Sequence, residues 1–266
     1  MKLVRNKVFI HIRKKARGFL LDLLSLESDP KPGIHILNGH FLSEHSYAPM
    51  ELFYRQLNTL LSNGVGFINF DQAVSLIKKE ELPDDRCLVA FTFDDGFEEC
   101  YTKIRPVLND VGIKAGFFIN PGFIDGDDVY QKNFKENIVF TEKPPMTWEQ
   151  VIVLKNEGHI IGSHTMDHTM LGIQNDEVLE YQLGESKKQI EQRLNANCEY
   201  FAFPYGRPEH MSQSAIETAG KHYRYIFSQS NYQHYYSFGK KVINRRHFEC
   251  NWPYKHVIYF LKTKKM

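Results

Sequence analysis

The fold is decided by the stretch CLVAFTF at Cys87–Phe93, which runs directly into Asp94, Asp95 and Gly96. An almost continuous apolar run of this length predicts a parallel strand that is buried on both faces of a sheet. In parallel α/β folds the working side chains gather at the carboxyl ends of the strands. The two aspartates after this run are therefore predicted to lie at the functional edge of a parallel sheet.

Strand-like and helix-like patterns alternate along the rest of the chain. Repeated strand–helix units predict a parallel sheet, either closed as a barrel or open and doubly wound, and the pattern alone leaves both open. Neither a Gly-x-Gly-x-x-Gly motif nor a phosphate-binding loop ending in Lys-Ser/Thr occurs, which disfavours nucleotide-binding versions. Further strands are predicted at 33–37, 65–70, 115–119, 160–161, 200–203, 225–228 and 242–248, helices at 49–63, 72–79, 97–109, 147–156, 176–194, 212–219 and 256–261, and an irregular polar stretch at 122–145.

The composition suits one large hydrophobic core. The chain has 266 residues, a hydrophobic fraction of 42% and a formal net charge of +1. We expect a single domain over residues 1–266, with a motif-bearing core at about 85–230 and an N-terminal extension at 1–30. The balanced charge argues against a nucleic-acid partner, which requires a basic surface.

The four cysteines form no Cys-x-x-Cys pair and are predicted to be buried free thiols in a reducing compartment: Cys87, Cys100, Cys198 and Cys250.

Positive charge is concentrated at the N-terminus. Residues 1–21 include basic residues and no acidic one, and they overlap the largely apolar stretch 19–24. Such a segment either contacts an anionic membrane surface or forms a solvated strand and helix that pack on the domain, and the packed arrangement is favoured. No apolar run reaches the ~20 residues of a spanning helix, and basic residues interrupt any signal-peptide core. We therefore expect a cytoplasmic protein, with peripheral membrane contact as the alternative.

Reactive groups follow three different predicted strands, at residues 94–95, 163–168 and 204–206. His164 and His168 are four residues apart, so both rings can face one point, and neutral imidazoles bind zinc, cobalt or nickel. A carboxylate from another strand end completes a set of two histidines and one carboxylate with an open position for water. Consecutive residues point to opposite sides, so one aspartate is predicted to bind metal and the other to act as a base. A helix-capping turn is the alternative for the aspartate pair.

In combination these motifs resemble the polysaccharide deacetylase family with the NodB-type homology domain. The resemblance rests on Thr-Phe-Asp-Asp-Gly at 92–96, Ser-His-Thr-x-x-His at 163–168 and Phe-Ala-Phe-Pro-Tyr-Gly at 201–206. It implies a distorted (β/α) barrel of about seven parallel strands, similar to a TIM barrel. It also implies one divalent metal ion, with zinc as first choice and cobalt or nickel as alternatives. The implied reaction is hydrolysis of N-acetyl groups on an amino sugar in a glycan or glycan precursor.

The resemblance also implies roles for individual residues. By position, Asp94 corresponds to the catalytic base. Thr165 corresponds to a residue that braces the histidine loop, and the backbone N–H of Tyr205 to a contact for the oxyanion. The metal ligands correspond to three residues from two strand ends: Asp95, His164 and His168.

Two features depart from the family pattern. Ala202 stands where many members carry an arginine that orients the base, and Arg245 or Arg246 is a candidate to replace it in space. The acid histidine has no clean match. His247 is the candidate from its place in the last predicted strand, and a packed or surface histidine is the alternative. Substrate contacts are predicted for Pro204, His40 and Arg246, and a plain loop histidine is the alternative for His40.

The leading prediction is a hydrolase whose partner is an N-acetylated carbohydrate. The same metal site suits an O-acetyl ester or a non-sugar amide, since the motifs position a metal and a base without selecting the acyl group. A glycan-binding scaffold that has lost turnover is a further alternative, based on Ala202 and the unassigned acid. The stretch that carries Tyr130, Phe134 and Phe140 is a candidate lid or substrate wall. Trp148 and Trp252 are candidates to stack on sugar rings, with core or helix packing as the more common role for tryptophan.

Overall fold

A single curled sheet forms the centre of the computed structural model, which describes residue 16 and residues 18–25, 29–43 and 48–262. Within these residues the sheet has ten strands in the order β10-β1-β3-β4-β5-β6-β7-β9-β8, with β2 paired to β3. All pairings are parallel except that of β8 with β9. The strands are β1 Gly33–Gly39, β2 Val65–Phe67, β3 Cys87–Phe93, β4 Gly116–Ile119, β5 Ile160–Ser163, β6 Tyr200–Ala202, β7 Tyr225–Phe227, β8 Tyr236–Ser237, β9 Val242–Ile243 and β10 Arg246–His247.

One short piece of chain connects the two sides of the curled sheet. β9 pairs with β7 on one side, and β10 pairs with β1 on the other. Only Asn244 and Arg245 separate β9 from β10. The chain therefore bends the sheet into a distorted barrel. This architecture confirms the parallel sheet predicted from the alternation of strands and helices, and the barrel that the family resemblance implies. The predicted last strand at 242–248 is split in two, because the chain changes partner strands at Asn244 and Arg245.

Helices alternate with the strands along the chain. In α1 the buried residues Phe53, Leu57 and Leu60 recur at helical spacing and pack on the core. The predicted cap at Thr147 is present: its hydroxyl accepts from the Gln150 N–H, and the Gln150 side chain accepts from the Thr147 N–H. The helices are α1 Glu51–Ser62, α2 Phe70–Lys79, α3 Arg105–Asp110, α4 Pro121–Asp125, α5 Asp128–Asn133, α6 Trp148–Asn156, α7 Asp176–Glu180, α8 Ser186–Leu194, α9 Gln213–His222 and α10 Tyr254–Leu261, and residues 18–24 are also helical.

Much of the stretch 122–145, predicted to be irregular, is helical. It contains most of α4, all of α5 and the π-helical segment Phe134–Val139. Each of these pieces has only five or six residues. A helix of that length shows too few turns for an apolar period to appear in the sequence. The long helix predicted at 176–194 is present but contains a π-helical segment, Tyr181–Glu185, between α7 and α8.

Phenylalanines are the largest fully buried apolar side chains. Phe53, Phe91, Phe93 and Phe117 are fully or almost fully buried within the main core cluster. All four cysteines are buried and free, as predicted. Among the described residues, no helix combines the length and the apolar character needed to cross a membrane.

Candidate functional site

Six of the predicted site residues lie where β3, β5 and β6 end: Asp94, Asp95, His164, His168, Pro204 and Tyr205. His40 directly follows β1, and Arg246 and His247 form β10. The Asp94 N–H donates to the Gly39 carbonyl at 2.9 Å, and the His164 N–H donates to the Ile119 carbonyl at 2.8 Å. The first residues after β3 and β5 are therefore fixed by neighbouring strands. Backbone of the left-handed type is sparsely populated and tends to collect at functional sites. Four residues of these loops other than glycine have it, with φ of 71°, 68°, 55° and 61°: Asp95, Thr165, His168 and Tyr205.

The three predicted metal ligands come together. Oδ1 of Asp95 is 3.5 Å from Nε2 of His164 and 3.3 Å from Nε2 of His168. One ligand atom from each residue lies within 4.8 Å of the others, and all three residues are buried. Ligands bound tetrahedrally at about 2 Å from an ion lie roughly 3–3.5 Å from one another, so these spacings suit a single cation.

Hydrogen bonds orient the histidine loop. Nδ1 of His164 lies 2.7 Å from the Ala202 carbonyl, so it carries the hydrogen and leaves the Nε2 lone pair for a ligand. The Thr165 hydroxyl accepts from the Thr169 N–H at 3.2 Å, which braces the loop. The side-chain amide of Asn120 donates to the carbonyls of His164 and Thr165. Asn120 directly follows β4, and no motif in the sequence points to it.

The donor set fits a divalent metal ion. Oδ1 of Asp95 and Nδ1 of His168 are buried without a hydrogen-bond partner among the described residues. A buried carboxylate oxygen without a donor is costly unless a cation neutralises it. Burial lowers the pKa of His164 and lowers that of His168 to about 4, so both rings are neutral ligands near neutral pH. Two imidazole nitrogens and one carboxylate oxygen are the ligands of many catalytic zinc sites.

Asp94 forms a buried ion pair with Arg245. Both contacts of this bidentate pair are 2.9 Å, and Arg245 also donates to the Thr92 hydroxyl and the Ser228 carbonyl. Burial alone would raise the pKa of Asp94, but the charges of Arg245 and His164 and the hydrogen bonds from Arg245 outweigh it and lower the pKa to about 2. Of the two arginines considered from the sequence, Arg245 is therefore the one that contacts Asp94.

Arg246 has different surroundings. Its guanidinium lies over the ring of Phe260 at 3.6 Å and over the ring of Tyr232 at 4.1 Å from their centroids. It comes from β10, whereas Arg245 precedes that strand. The structure thus separates the two arginines, and a substrate contact for Arg246 stays a prediction.

A second cluster contains His40, His247 and Glu249. Nδ1 of His40 is 3.2 Å from Oε1 of Glu249, and Nε2 of His247 is 3.5 Å from the same oxygen. Burial disfavours the charged form of His40, but the hydrogen bond to Glu249 and the nearby carboxylates outweigh it and raise the pKa of His40 to about 9. Two of these carboxylates are Asp94 and Asp95, so the second cluster adjoins the first. Its ligand atoms also lie within 4.8 Å of one another, so it could hold a cation.

Tyr205 and Phe134 border the histidine ligands. The Tyr205 ring is 4.8 Å from the His168 ring and partly exposed. The Gly206 N–H donates to the Pro204 carbonyl at 2.7 Å, which holds the turn that carries the predicted oxyanion contact. Phe134 is buried at 6.2 Å from the His168 ring. The other predicted aromatic residues differ in placement: Phe140 is exposed, Tyr130 bonds to Asp167, Trp148 bonds to Asp125 and Trp252 packs on His247.

A family model matches the part of the chain that carries this geometry. The model described as polysaccharide deacetylase matches residues 82–224, more than half of the 266 residues. The chain belongs to the polysaccharide deacetylase family. In this family member the matched span includes Asp94 and the three candidate metal ligands. It excludes His40, Arg245 and Glu249, which contribute the other charged groups of the site.

Two relatives with curated names are also named as deacetylases. YxkH of Bacillus subtilis, which is named for the same family, is 26% identical over 197 residues, or 73% of this chain and 64% of YxkH. The peptidoglycan-N-acetylglucosamine deacetylase of Bacillus cereus is 31% identical over 112 residues, or 42% of this chain and 43% of the relative. This family member thus spans less than two thirds of either relative.

A solved structure shows the shared fold. The Streptococcus pyogenes deacetylase PplD in complex with acetate superposes with a TM-score of 0.67 at 20% sequence identity. The match covers 87% of this chain and 99% of that chain. The distorted barrel is therefore a fold that this family member has in common with PplD.

Proposed function

We propose that this chain is a metal-dependent deacetylase that hydrolyses the N-acetyl group of an amino sugar in a glycan or glycan precursor. The observation that carries the proposal is the buried Asp94–Arg245 pair beside the cluster of Asp95, His164 and His168. Family membership supports deacetylation. The name of the Bacillus cereus relative supports an N-acetylated amino sugar as the substrate class.

We assign a different step of the proposed reaction to each group of residues in the site. Asp95, His164 and His168 would hold the metal ion, which when bound polarises a carbonyl and lowers the pKa of water at the site. Asp94 is ionised at neutral pH because its pKa is about 2, so its carboxylate can accept the proton of the attacking water. Arg245 binds both oxygens of this carboxylate and fixes its orientation. The backbone N–H of Tyr205 is proposed to donate to the oxyanion of the tetrahedral intermediate.

The departing amine needs a proton, and we propose His40 as its donor. His247, the candidate from the sequence, lies farther from the Glu249 carboxylate and has the more exposed side chain, 35% against 21%. A pKa of about 9 keeps His40 protonated at neutral pH. Glu249 then acts as the carboxylate that orients the acid and stabilises its charge.

His40→Gln is expected to lower kcat about 10²–10³-fold, because general-acid assistance to a poor leaving group is lost. Wild-type activity should fall as pH rises toward 9, where His40 loses its proton. Glu249→Gln should move this decline to lower pH, since the hydrogen bond that favours the protonated ring is lost. Kinetic pH profiles measure both effects. The matched control is His247→Gln: a larger loss in this variant than in His40→Gln would assign the acid to His247.

Removing the metal is expected to abolish activity and to lower the melting temperature. A ligand present at 100 times its Kd stabilises a folded protein by about 3 kcal/mol. For a chain of this size that corresponds to roughly 5–10 °C. Differential scanning calorimetry of metal-loaded and chelated protein, with metal analysis of both, measures the change. His164→Ala should melt at the same temperature with and without added metal. Equal melting temperatures for loaded and chelated wild type would contradict the proposed site.

A panel of substrates tests whether the enzyme removes N-acetyl or O-acetyl groups. Acetate release is compared between N-acetylated and O-acetylated sugars, with metal-loaded wild type and with chelated protein as blank. Metal-dependent release from N-acetylated sugars alone is the expected result. Release from O-acetylated sugars alone would make the chain an esterase, and release from neither, with one metal bound, would favour a glycan-binding scaffold.

A further inference from the structure

The helical residues 18–24 turn an apolar side to solvent. Phe19, Leu20 and Leu23 are 67%, 55% and 52% exposed. At 100° per residue these three positions lie within one 100° sector of the helix, and Leu24, 43% exposed, lies at its margin. We call Phe19, Leu20 and Leu23 the apolar face. Single exposed leucines are ordinary, whereas neighbouring large apolar side chains on one face mark an interaction site.

The opposite side of this helix is attached to the domain. Leu21 is buried. The Asp22 carboxylate lies 2.6 Å from Nζ of Lys255 and 2.8 Å from Nε2 of His256, both in the first turn of α10. The side that carries Leu21 and Asp22 therefore packs on α10, and the apolar face points outward as a consequence of this packing.

The charge of the sequence before the apolar face indicates which kind of partner this face binds. Residues 1–17 contain seven basic residues and no acidic one, although the whole chain has a net charge of only +1. A second copy of the chain would bring an equal set of cations to the same interface, which disfavours self-association there. An anionic bilayer offers both a negative surface and an apolar layer directly beneath it.

We propose that the apolar face, together with the basic segment before it, docks on the surface of an anionic phospholipid bilayer. The apolar side chains enter the boundary between headgroups and acyl chains, while the lysines and arginines bind headgroup phosphates. Either contribution alone gives weak binding, and the two together give stable attachment. This proposal is independent of the deacetylase activity, because it uses neither the metal ligands nor Asp94.

Cosedimentation of the full chain with vesicles tests the proposal. Binding to vesicles of equal parts phosphatidylglycerol and phosphatidylcholine should be at least about tenfold tighter than to phosphatidylcholine alone, and added salt should weaken it. Phe19→Ser/Leu23→Ser and Lys14→Gln/Lys15→Gln should each lower the affinity about tenfold. The matched control is Leu61→Ser/Leu82→Ser, which changes two exposed leucines elsewhere and should bind as wild type does.

Three results would overturn the proposal. One is equal affinity for the two kinds of vesicle. Another is unchanged binding by Phe19→Ser/Leu23→Ser, with its folding verified by an unaltered melting temperature. The third is a concentration-dependent dimer in analytical ultracentrifugation that this variant abolishes, which would make a second copy the occupant of the apolar face.

Discussion

Asp94→Asn is expected to lower the rate of acetate release about 10³-fold while metal binding is retained. Asparagine has the shape of aspartate and can still accept a hydrogen bond from Arg245, but its amide cannot take up the proton of the attacking water. The three metal ligands are unchanged in this variant. Saturation kinetics of the metal-loaded protein measure the loss, and isothermal titration with zinc measures metal affinity.

The control variant distinguishes the loss of a catalytic base from the loss of a metal ligand. Asp95→Asn makes the same chemical change one residue later and should weaken metal binding as well as activity, because Oδ1 of Asp95 lies within 3.5 Å of both histidine ligands. Both variants are assayed well below their melting temperatures, since each alters a buried charge. If Asp94→Asn kept activity within about tenfold of wild type, a different group would have to accept the proton.

The candidate metal ligands could be predicted because their positions are local features of the sequence. Asp95 is the second residue after an apolar strand, and His164 directly follows another strand, with His168 four residues further on. In a parallel sheet, strand ends meet at one edge whatever the rest of the chain does. The same logic predicted a parallel α/β sheet, since that needs only the alternation of strands and helices, whereas the closed barrel was implied by the family resemblance.

The groups that act on the base and the acid could not be predicted in this way. Arg245 is 151 residues from Asp94 along the chain, and Glu249 is 209 residues from His40. Arg245 is one of 33 lysines and arginines, and its local sequence gives no sign that it is fully buried. Its position follows from the connection between β9 and β10, which depends on closure of the whole sheet. Arg245 and Arg246 were both candidates from the sequence to orient Asp94, and only the three-dimensional pairing distinguishes them.

Arg245→Met is expected to lower the free energy of unfolding by about 3–5 kcal/mol, because it leaves the buried Asp94 carboxylate without its cation. Despite burial, the surrounding positive charges, with that of Arg245 the largest, lower the pKa of Asp94 from 3.8 to about 2. The contribution of the ion pair to stability is therefore present above pH 3.8 and is lost as the pH falls toward 2. In the variant, burial without the guanidinium favours protonated Asp94. The difference between variant and wild type should accordingly be largest at neutral pH and shrink in acid. Chemical denaturation at several pH values measures it.

A double-mutant cycle decides whether this loss belongs to the ion pair. Arg246→Met is the matched single control: it removes a neighbouring guanidinium that contacts aromatic rings, and should cost about 1 kcal/mol. In Arg245→Met/Asp94→Asn both charges are absent, so the double variant should be more stable than the sum of the two single losses predicts. Additive losses would mean that Arg245 stabilises the barrel through its other contacts, which include Thr92, Ser228 and the ring of Phe118. In that case Arg245 would not be the replacement for the arginine missing at Ala202, and the orientation of Asp94 would need another source.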